Sequence, residues 1–153
     1  MRLVLLLLLL RPDAVELTPA AVQLGARVVA AEARGEDFAE QYAVAATVGN
    51  RVRSGISWWR SREHTNSWMA VMSARLQYAA PAHPALVRPQ HQLAFILGAL
   101  APVGWSRRAV SFATKATVKR KRLVEAWGSG HSPLEVLPAA GRAHVFFGFA
   151  SDT

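Results

Sequence analysis

The sequence predicts a single α+β domain, mainly helical, with a few short strands. Three observations lead there. The chain has 153 residues, enough for one buried core and too few for two comfortable ones. Its hydrophobic fraction of 52% is far above that of a disordered basic tail. Helix start and stop signals recur through the first two thirds of the chain, whereas short apolar, aromatic runs mark the last third.

The N-terminus, MRLVLLLLLL, sets one arginine before the apolar run of residues 3–10. As a helix that run spans about 12 Å, far short of a hydrocarbon core of roughly 30 Å, so it is no ordinary transmembrane helix. It reaches the lower end of the apolar region of an export signal, yet Arg11, Pro12 and Asp13 follow where a small-x-small cleavage site is expected. Residues 1–17 are read as a signal or hydrophobic N-terminal segment capable of transient membrane contact. A buried terminal helix and a misassigned start are the plainer alternatives. Residues 18–153 are read as the domain.

Thr18-Pro19 has the form of an N-cap followed by proline at the first helical position, opening a helix that runs to about Arg34 and stops at Gly35. At about 100° per residue, Leu24, Val28 and Ala31 share one face, while Gln23, Arg27, Ala30 and Arg34 lie opposite. Glu32 falls with Val28, inside the apolar arc. Asp37 with Glu40 has the spacing of a capping box, and residues 38–52 continue as a second helix. Residues 53–67, RSGISWWRSREHTNS, read as a long polar loop bearing Trp58 and Trp59. A third helix is expected to start at Thr65 or Asn66 and to cover Trp68 to Tyr78. The prolines of APAHPALVRPQ demand irregular chain, and Pro89 opens a fourth helix, QHQLAFILGAL. AVSFAT and AHVFFGF read as strands.

Charge and composition narrow the function classes. Lys and Arg number 18 against 10 Asp and Glu, a formal net charge of +8 that favours anionic partners: nucleic acid, membrane surface or acidic wall polymers. The absence of cysteine excludes disulfides, thiolate metal sites and a cysteine nucleophile. His64, His83, His91, His131 and His144 are scattered, with no helical pair at i, i+4, so no metal site is expected. The basic run KATVKRKR, residues 115–122, lacks interleaved aromatics and a flanking binding motif. It reads as a solvated face, and no nucleic-acid partner is expected.

Glu32 is the chemical candidate. A carboxylate partly removed from water has its charged form disfavoured, so it can hold a proton near neutral pH and act as a general acid. Glycoside cleavage uses such a group, because the leaving oxygen must be protonated as the sugar gains oxocarbenium character. The plainer reading pairs Glu32 with Arg27 or Arg51. A conventional glycosidase also needs a second carboxylate, for which Glu36, Asp37 and Glu63 are the candidates.

The block Glu32-Ala33-Arg34-Gly35-Glu36, then Gln41, Ala43-Val44-Ala45 and Asn50-Arg51-Val52, resembles the signature of the cell wall hydrolase family that includes the spore cortex-lytic enzymes. Gln77-Tyr78 looks like that family's glutamine-phenylalanine element, Ala113-Thr114 like its Ala-Thr step, and Gly141 with His144-Val145-Phe146-Phe147 like its closing glycine, histidine and aromatic pair. The resemblance runs from about Leu24 to Phe149. This chain departs from the pattern at Tyr78, where phenylalanine is usual, and at Lys115 and Ala116, where an aromatic and a histidine are usual.

The resemblance implies a lysozyme-like fold and cleavage of the glycan strand of peptidoglycan by a lytic transglycosylase or muramidase route, with Glu32 as sole acid/base and no cofactor. It implies that Gln77, Tyr78 and His144 orient the sugar or the glutamate, with Thr114 beside them. Asn50 faces away from Val44 and Val48, so it either reaches the site or ties another layer of the core. Trp58, with Trp59, is a candidate wall of the glycan groove, whereas Trp68 lies near Met72 and Leu76 and reads as core. A monomer exported to the envelope or periplasm, or a phage-encoded lytic or virion protein, is the expected setting. The alternative is a wall-binding or virion structural protein that keeps the fold without activity.

Overall fold

The computed structural model of the chain describes residues 16–74, 78, 86–115, 134–137 and 143–149, and its architecture is α+β. The helices are α1 (Pro19–Ala33), α2 (Phe38–Ser54), α3 (Ser67–Met72) and α4 (Pro89–Leu100). Short 3-10 turns occupy Ser57–Trp59 and Gly104–Arg107. The strands are β1 (Ala109–Thr114), β2 (Leu134–Val136) and β3 (His144–Phe149).

Local chemistry fixes the helix ends. The Thr18 hydroxyl accepts from the Ala21 amide at 3.2 Å, and Pro19 fills the first position of α1, where no amide is missed. Asp37 Oδ1 accepts from the Glu40 amide at 2.9 Å to start α2. The second half of the expected capping box does not form, because the Glu40 side chain turns away toward β3 instead of back to Asp37. Gly55, at φ 69°, ends α2 in the left-handed conformation that glycine adopts without strain. The start of α3 is held twice: Asn66 Oδ1 accepts from the Met69 amide at 3.0 Å and Glu16 Oε2 from the Ser67 amide at 2.9 Å.

Helix α3 is shorter than the sequence suggests. Beyond Met72 the Ser73 and Ala74 amides close onto Met69 and Val71, the backbone leaves the helical path, and Tyr78 is not helical. Trp68 and Met72 are then buried among the helices while Tyr78 packs toward the sheet. The loop after α2 is also more ordered than its polarity implies, since it contains a 3-10 turn and Arg60 Nη2 donates to the Val52 carbonyl at 2.9 Å.

The sheet is antiparallel with strand order β1-β3-β2. Phe112 faces Phe146 and Thr114 faces His144 in register, and a shift between Ala109 and Ser111 bends the start of β1. The two expected strands are present; β2 has only 3 residues, too few for an alternating pattern to show.

One core cluster joins the helices through Val28, Val29, Val48, Trp68, Val71, Met72 and Phe95. A second sets Ala33, Ala43 and Val44 against Phe146 on one face of the sheet, and a third holds Trp59, Val110 and Phe147. Helix α1 packs against α2, α3 and α4, so its buried arc is wider than one wheel face. Ala30, placed on the outer face by the wheel, is therefore fully buried.

Helices α2 and α4 approach so closely that glycine is required at the crossing. A Cβ at Gly98 would collide with the Tyr42 carbonyl oxygen, and one at Gly49 with the Ala99 carbonyl oxygen. His91 lies in the first turn of α4, 2% exposed, and its Nδ1 accepts from the Arg88 amide at 3.0 Å. Burial, with Arg88 beside it, lowers the His91 pKa.

Among the described residues no helix is long and apolar enough to cross a membrane, and no group of three or more His, Asp or Glu could hold a metal. The apolar run of residues 3–10, Gln77, Leu76, His83, Ala116 and the rest of the basic run, Trp127, His131 and Gly141 lie outside the described residues.

Two stability outcomes follow from this packing. Gly98→Ala lowers the unfolding free energy by about 1–3 kcal/mol, the usual effect of overpacking, read as a lower urea midpoint at unchanged slope. Because the His91 pKa is depressed in the folded state, its contribution is present above about pH 6.5 and lost as pH falls below it. His91→Gln keeps an acceptor that does not titrate, so it reduces the loss of stability between about pH 7 and 5.

Candidate active site

The connection between α1 and α2 is a tight corner, and Gln41 holds it. Its side chain is 1% exposed, donates to the Ala33 carbonyl at 3.3 Å and the Glu36 carbonyl at 3.0 Å, and accepts from Gln90 Nε2 at 3.0 Å. These bonds brace the corner at both of its sides, the Ala33 carbonyl also accepting from the Glu36 amide, and they fix where the last turn of α1 points. Glu32 sits on that turn. It is half-buried, next to Ala33, which packs against Val44 and Phe146.

Tyr78 is buried where the helices meet the sheet. The Tyr78 ring is 6% exposed, and its hydroxyl lies 3.3 Å from Thr47 Oγ1. Burial pushes its pKa up; the Arg51 guanidinium and the Thr47 hydrogen bond pull it down, and the Glu32 carboxylate pushes it up again. Glu32 is thus close enough to act electrostatically on the phenol, with Arg51 on the same ring.

Arg51 is 3% exposed and lies between two aromatic faces, 5.1 Å from the Trp59 ring centroid and 5.0 Å from that of Tyr78. Its Nε donates to the Val110 carbonyl at 2.5 Å, and its Nη2 lies 3.4 Å from Ser111 Oγ. A helix of α2 and a strand of the sheet are thereby joined at the site. Phe112 extends the aromatic line, 6.3 Å from Tyr78 on one side and 5.3 Å edge-on to His144 on the other. His144 Nδ1 lies 2.7 Å from Glu40 Oε1, with both side chains buried.

The structure thus links Tyr78 to His144 through Phe112, with Glu32 within electrostatic reach of Tyr78. Thr114 lies at the exposed end of β1, opposite His144 in register. Asn50 is placed differently. Its Nδ2 donates to the Ser106 and Ala109 carbonyls at 2.8 and 2.7 Å, and its Oδ1 accepts from Arg53 at 2.8 Å, so the amide ties α2 to the chain entering β1. Of the two readings of Asn50, this geometry matches the tie between layers. Trp58 belongs to the 3-10 turn Ser57–Trp59, and its side chain is outside the described set. Trp59, expected with it at the groove, is 1% exposed and packs against Val110 and Phe147 because Arg51 covers its ring. Trp68 is core, as its neighbours suggest.

Sequence reasoning gave Glu40 only a helix-capping role and Thr47 none, and it treated Arg51 as a partner for Glu32 and as part of the family signature. A signal was present: Glu40, Thr47 and Arg51 recur at i, i+7 and i+11 on an otherwise apolar helix, which stacks them on one face. The same stripe includes Val44, and its apolar character hid the pattern.

No protein-family model matches the chain, and no curated protein matches it. Two solved structures do resemble it: the catalytic domain of the Bacillus cereus SleB protein and that of the germination-specific lytic transglycosylase SleB from Bacillus anthracis. Each superposes with a TM-score of 0.60 at 22% identity over 84% of this chain, covering 90% of the first and 94% of the second. The chain has the fold of the SleB catalytic domain, the mainly helical, lysozyme-like α+β fold expected from the resemblance.

The Tyr78 hydroxyl supplies a test of this site. Its pKa is raised in the folded state, so its contribution is whole below about pH 10 and lost as pH rises through the folded value. Tyr78→Phe costs about 0.5–1.5 kcal/mol at neutral pH through the Thr47 bond. It also flattens the alkaline decline, leaving the part due to Tyr42, which burial raises as well. Urea unfolding at neutral and alkaline pH measures both effects.

Proposed function

We propose that this chain cleaves the glycan strand of peptidoglycan, with Glu32 as the general acid and then the base. The observation that carries the proposal is a half-buried carboxylate on the last turn of α1, within electrostatic reach of the Tyr78 phenol, in the fold of a lytic transglycosylase's catalytic domain.

In the first step Glu32 gives its proton to the glycosidic oxygen as the bond to the anomeric carbon breaks and positive charge grows on the sugar ring. The leaving sugar departs with that proton as its hydroxyl. Glu32, now a carboxylate, takes the proton of the same sugar's 6-hydroxyl, whose oxygen closes on the anomeric carbon. The product carries a 1,6-anhydro ring, and Glu32 is protonated again. This route requires no second carboxylate and no cofactor. Hydrolysis by a muramidase route delivers water in place of the 6-hydroxyl and yields a product heavier by one water.

Tyr78 stands behind the acid and, with Thr47 and Arg51, sets the field around it. Gln77, Trp58 and Thr114 belong to the substrate-binding set by the resemblance, and His144 reaches it from β3. Peptidoglycan as substrate places the working protein at a cell envelope, and the positive net charge of +8 suits the anionic polymers found there.

The deciding experiment incubates wild type and Glu32→Gln with insoluble peptidoglycan, after confirming that both fold, and reads released fragments by mass spectrometry. Wild type releases fragments ending in the anhydro sugar, and the variant is slower by roughly 10²- to 10⁴-fold, the range for loss of a general acid. Equal release by the two moves the acid elsewhere. Binding to the wall with no release by wild type gives first place to the wall-binding alternative.

A further inference from the structure

Glu40 is a buried carboxylate for which the chemistry above has no use. It lies in the first turn of α2, 4% exposed, with both oxygens facing the start of β3. Oε1 accepts from the His144 amide at 2.8 Å and lies 2.7 Å from His144 Nδ1. The Ala143 amide stands 3.2 Å from Oε1 and 3.4 Å from Oε2. The backbone amides alone would fasten β3 to α2, so the contact with the imidazole is an addition to that clamp.

A carboxylate only accepts hydrogen bonds, so the proton between Glu40 and His144 rests on Nδ1. In the neutral ring that leaves Nε2 as an acceptor, and Nε2 has no hydrogen-bond partner among the described residues. The ring is also fixed in direction. Phe112 meets it edge-on at 89° and 5.3 Å, and Thr114 lies opposite it across the strands. The other edge of the same phenylalanine leads to Tyr78 and hence to Glu32. An imidazole with one nitrogen tied to a carboxylate and the other uncommitted is how proteins present a single, defined nitrogen to a ligand.

We propose that Glu40 is a positioning residue of the glycan site: it holds His144 in the Nδ1–H tautomer with its ring turned so that Nε2 accepts a hydrogen bond from a sugar hydroxyl. The inference rests on the functional reading above, since it assigns the strand that Glu32 cleaves as the ligand. Glu40 itself does not touch the glycan.

Glu40→Gln is the informative variant, because the amide oxygen can still accept from the Ala143 and His144 amides while the carboxylate is gone. Imidazole nitrogen spectra of the full-length chain, with His144→Asn to assign the signal, read the tautomer directly. Wild type shows the proton on Nδ1, and soluble uncrosslinked peptidoglycan strands shift the Nε2 signal; in Glu40→Gln the Nδ1–H form is no longer the sole tautomer. On insoluble peptidoglycan, Glu40→Gln lowers the turnover rate by about ten- to a hundredfold, the size found when a carboxylate behind a functional imidazole is removed. Combined with His144→Asn it lowers the rate no further, as expected for a residue acting through His144.

An Nε2–H tautomer in wild type overturns the inference. So does a Glu40→Gln effect of equal size with and without the imidazole, which would mark Glu40 as a fastener of the fold. If wild type releases no fragments, the cleavage reading fails while the spectra still decide this one: an Nε2 signal unmoved by the strands sinks it, and a shifted signal upholds it for a protein that binds glycan without cutting it.

Discussion

One face of α2 carries Glu40, Thr47 and Arg51 into the interior, and the placement of the sheet depends on those polar groups being partnered there. A buried charge left without partners costs several kcal/mol, far more than a protein of this size can absorb. Arg51 meets the requirement with the Val110 carbonyl, Ser111 and two aromatic faces, and Glu40 meets it with two backbone amides and an imidazole. The two ends of α2 thereby dictate where β1 and β3 must run. A slip of the strands by one residue would turn Phe112 and Phe146 to the opposite face and strand both charges.

The corner between α1 and α2 is the second fixed point. Gln41 gives its amide nitrogen to it, so the last turn of α1 is held by hydrogen bonds to backbone, while its amide oxygen ties the corner to Gln90 on α4. Glu32 stands on that turn. The Arg51 cation and the Tyr78 ring are constrained as well, the first by the Val110 carbonyl and the second by Thr47.

Much of this was legible beforehand, for reasons that differ by element. Helices α1, α2 and α4 announce themselves through Thr18-Pro19, Asp37 and Pro89, because caps and prolines act locally and need no knowledge of the rest of the fold. Glu32 could be singled out because it breaks an apolar arc. The length of α3 was not legible, since the point where the chain leaves the helix is set by the distant demand that Tyr78 reach Thr47. The partners of Glu40, Asn50 and Arg51 on the sheet and the chain entering it are between 56 and 104 residues away, beyond any local pattern. Trp59 looked like an exposed groove residue in a polar loop because its cover, the Arg51 guanidinium, comes from the preceding helix. Cores made of alanine and valine give weak wheels, which is why Ala30 was put on the wrong side.

The glycine crossing of α2 and α4 bears on motion as well as on stability. Where Gly49 and Gly98 let backbone meet backbone, no rotamer separates the two helices, and the contact has no alternative packing to visit. The helical wall behind Glu32 therefore behaves as one stiff body. Sheet and helix, by contrast, are joined through side chains, whose torsions can flex. Movement of the sheet relative to the helices is then taken up on the strand side, by arginine and glutamate stems.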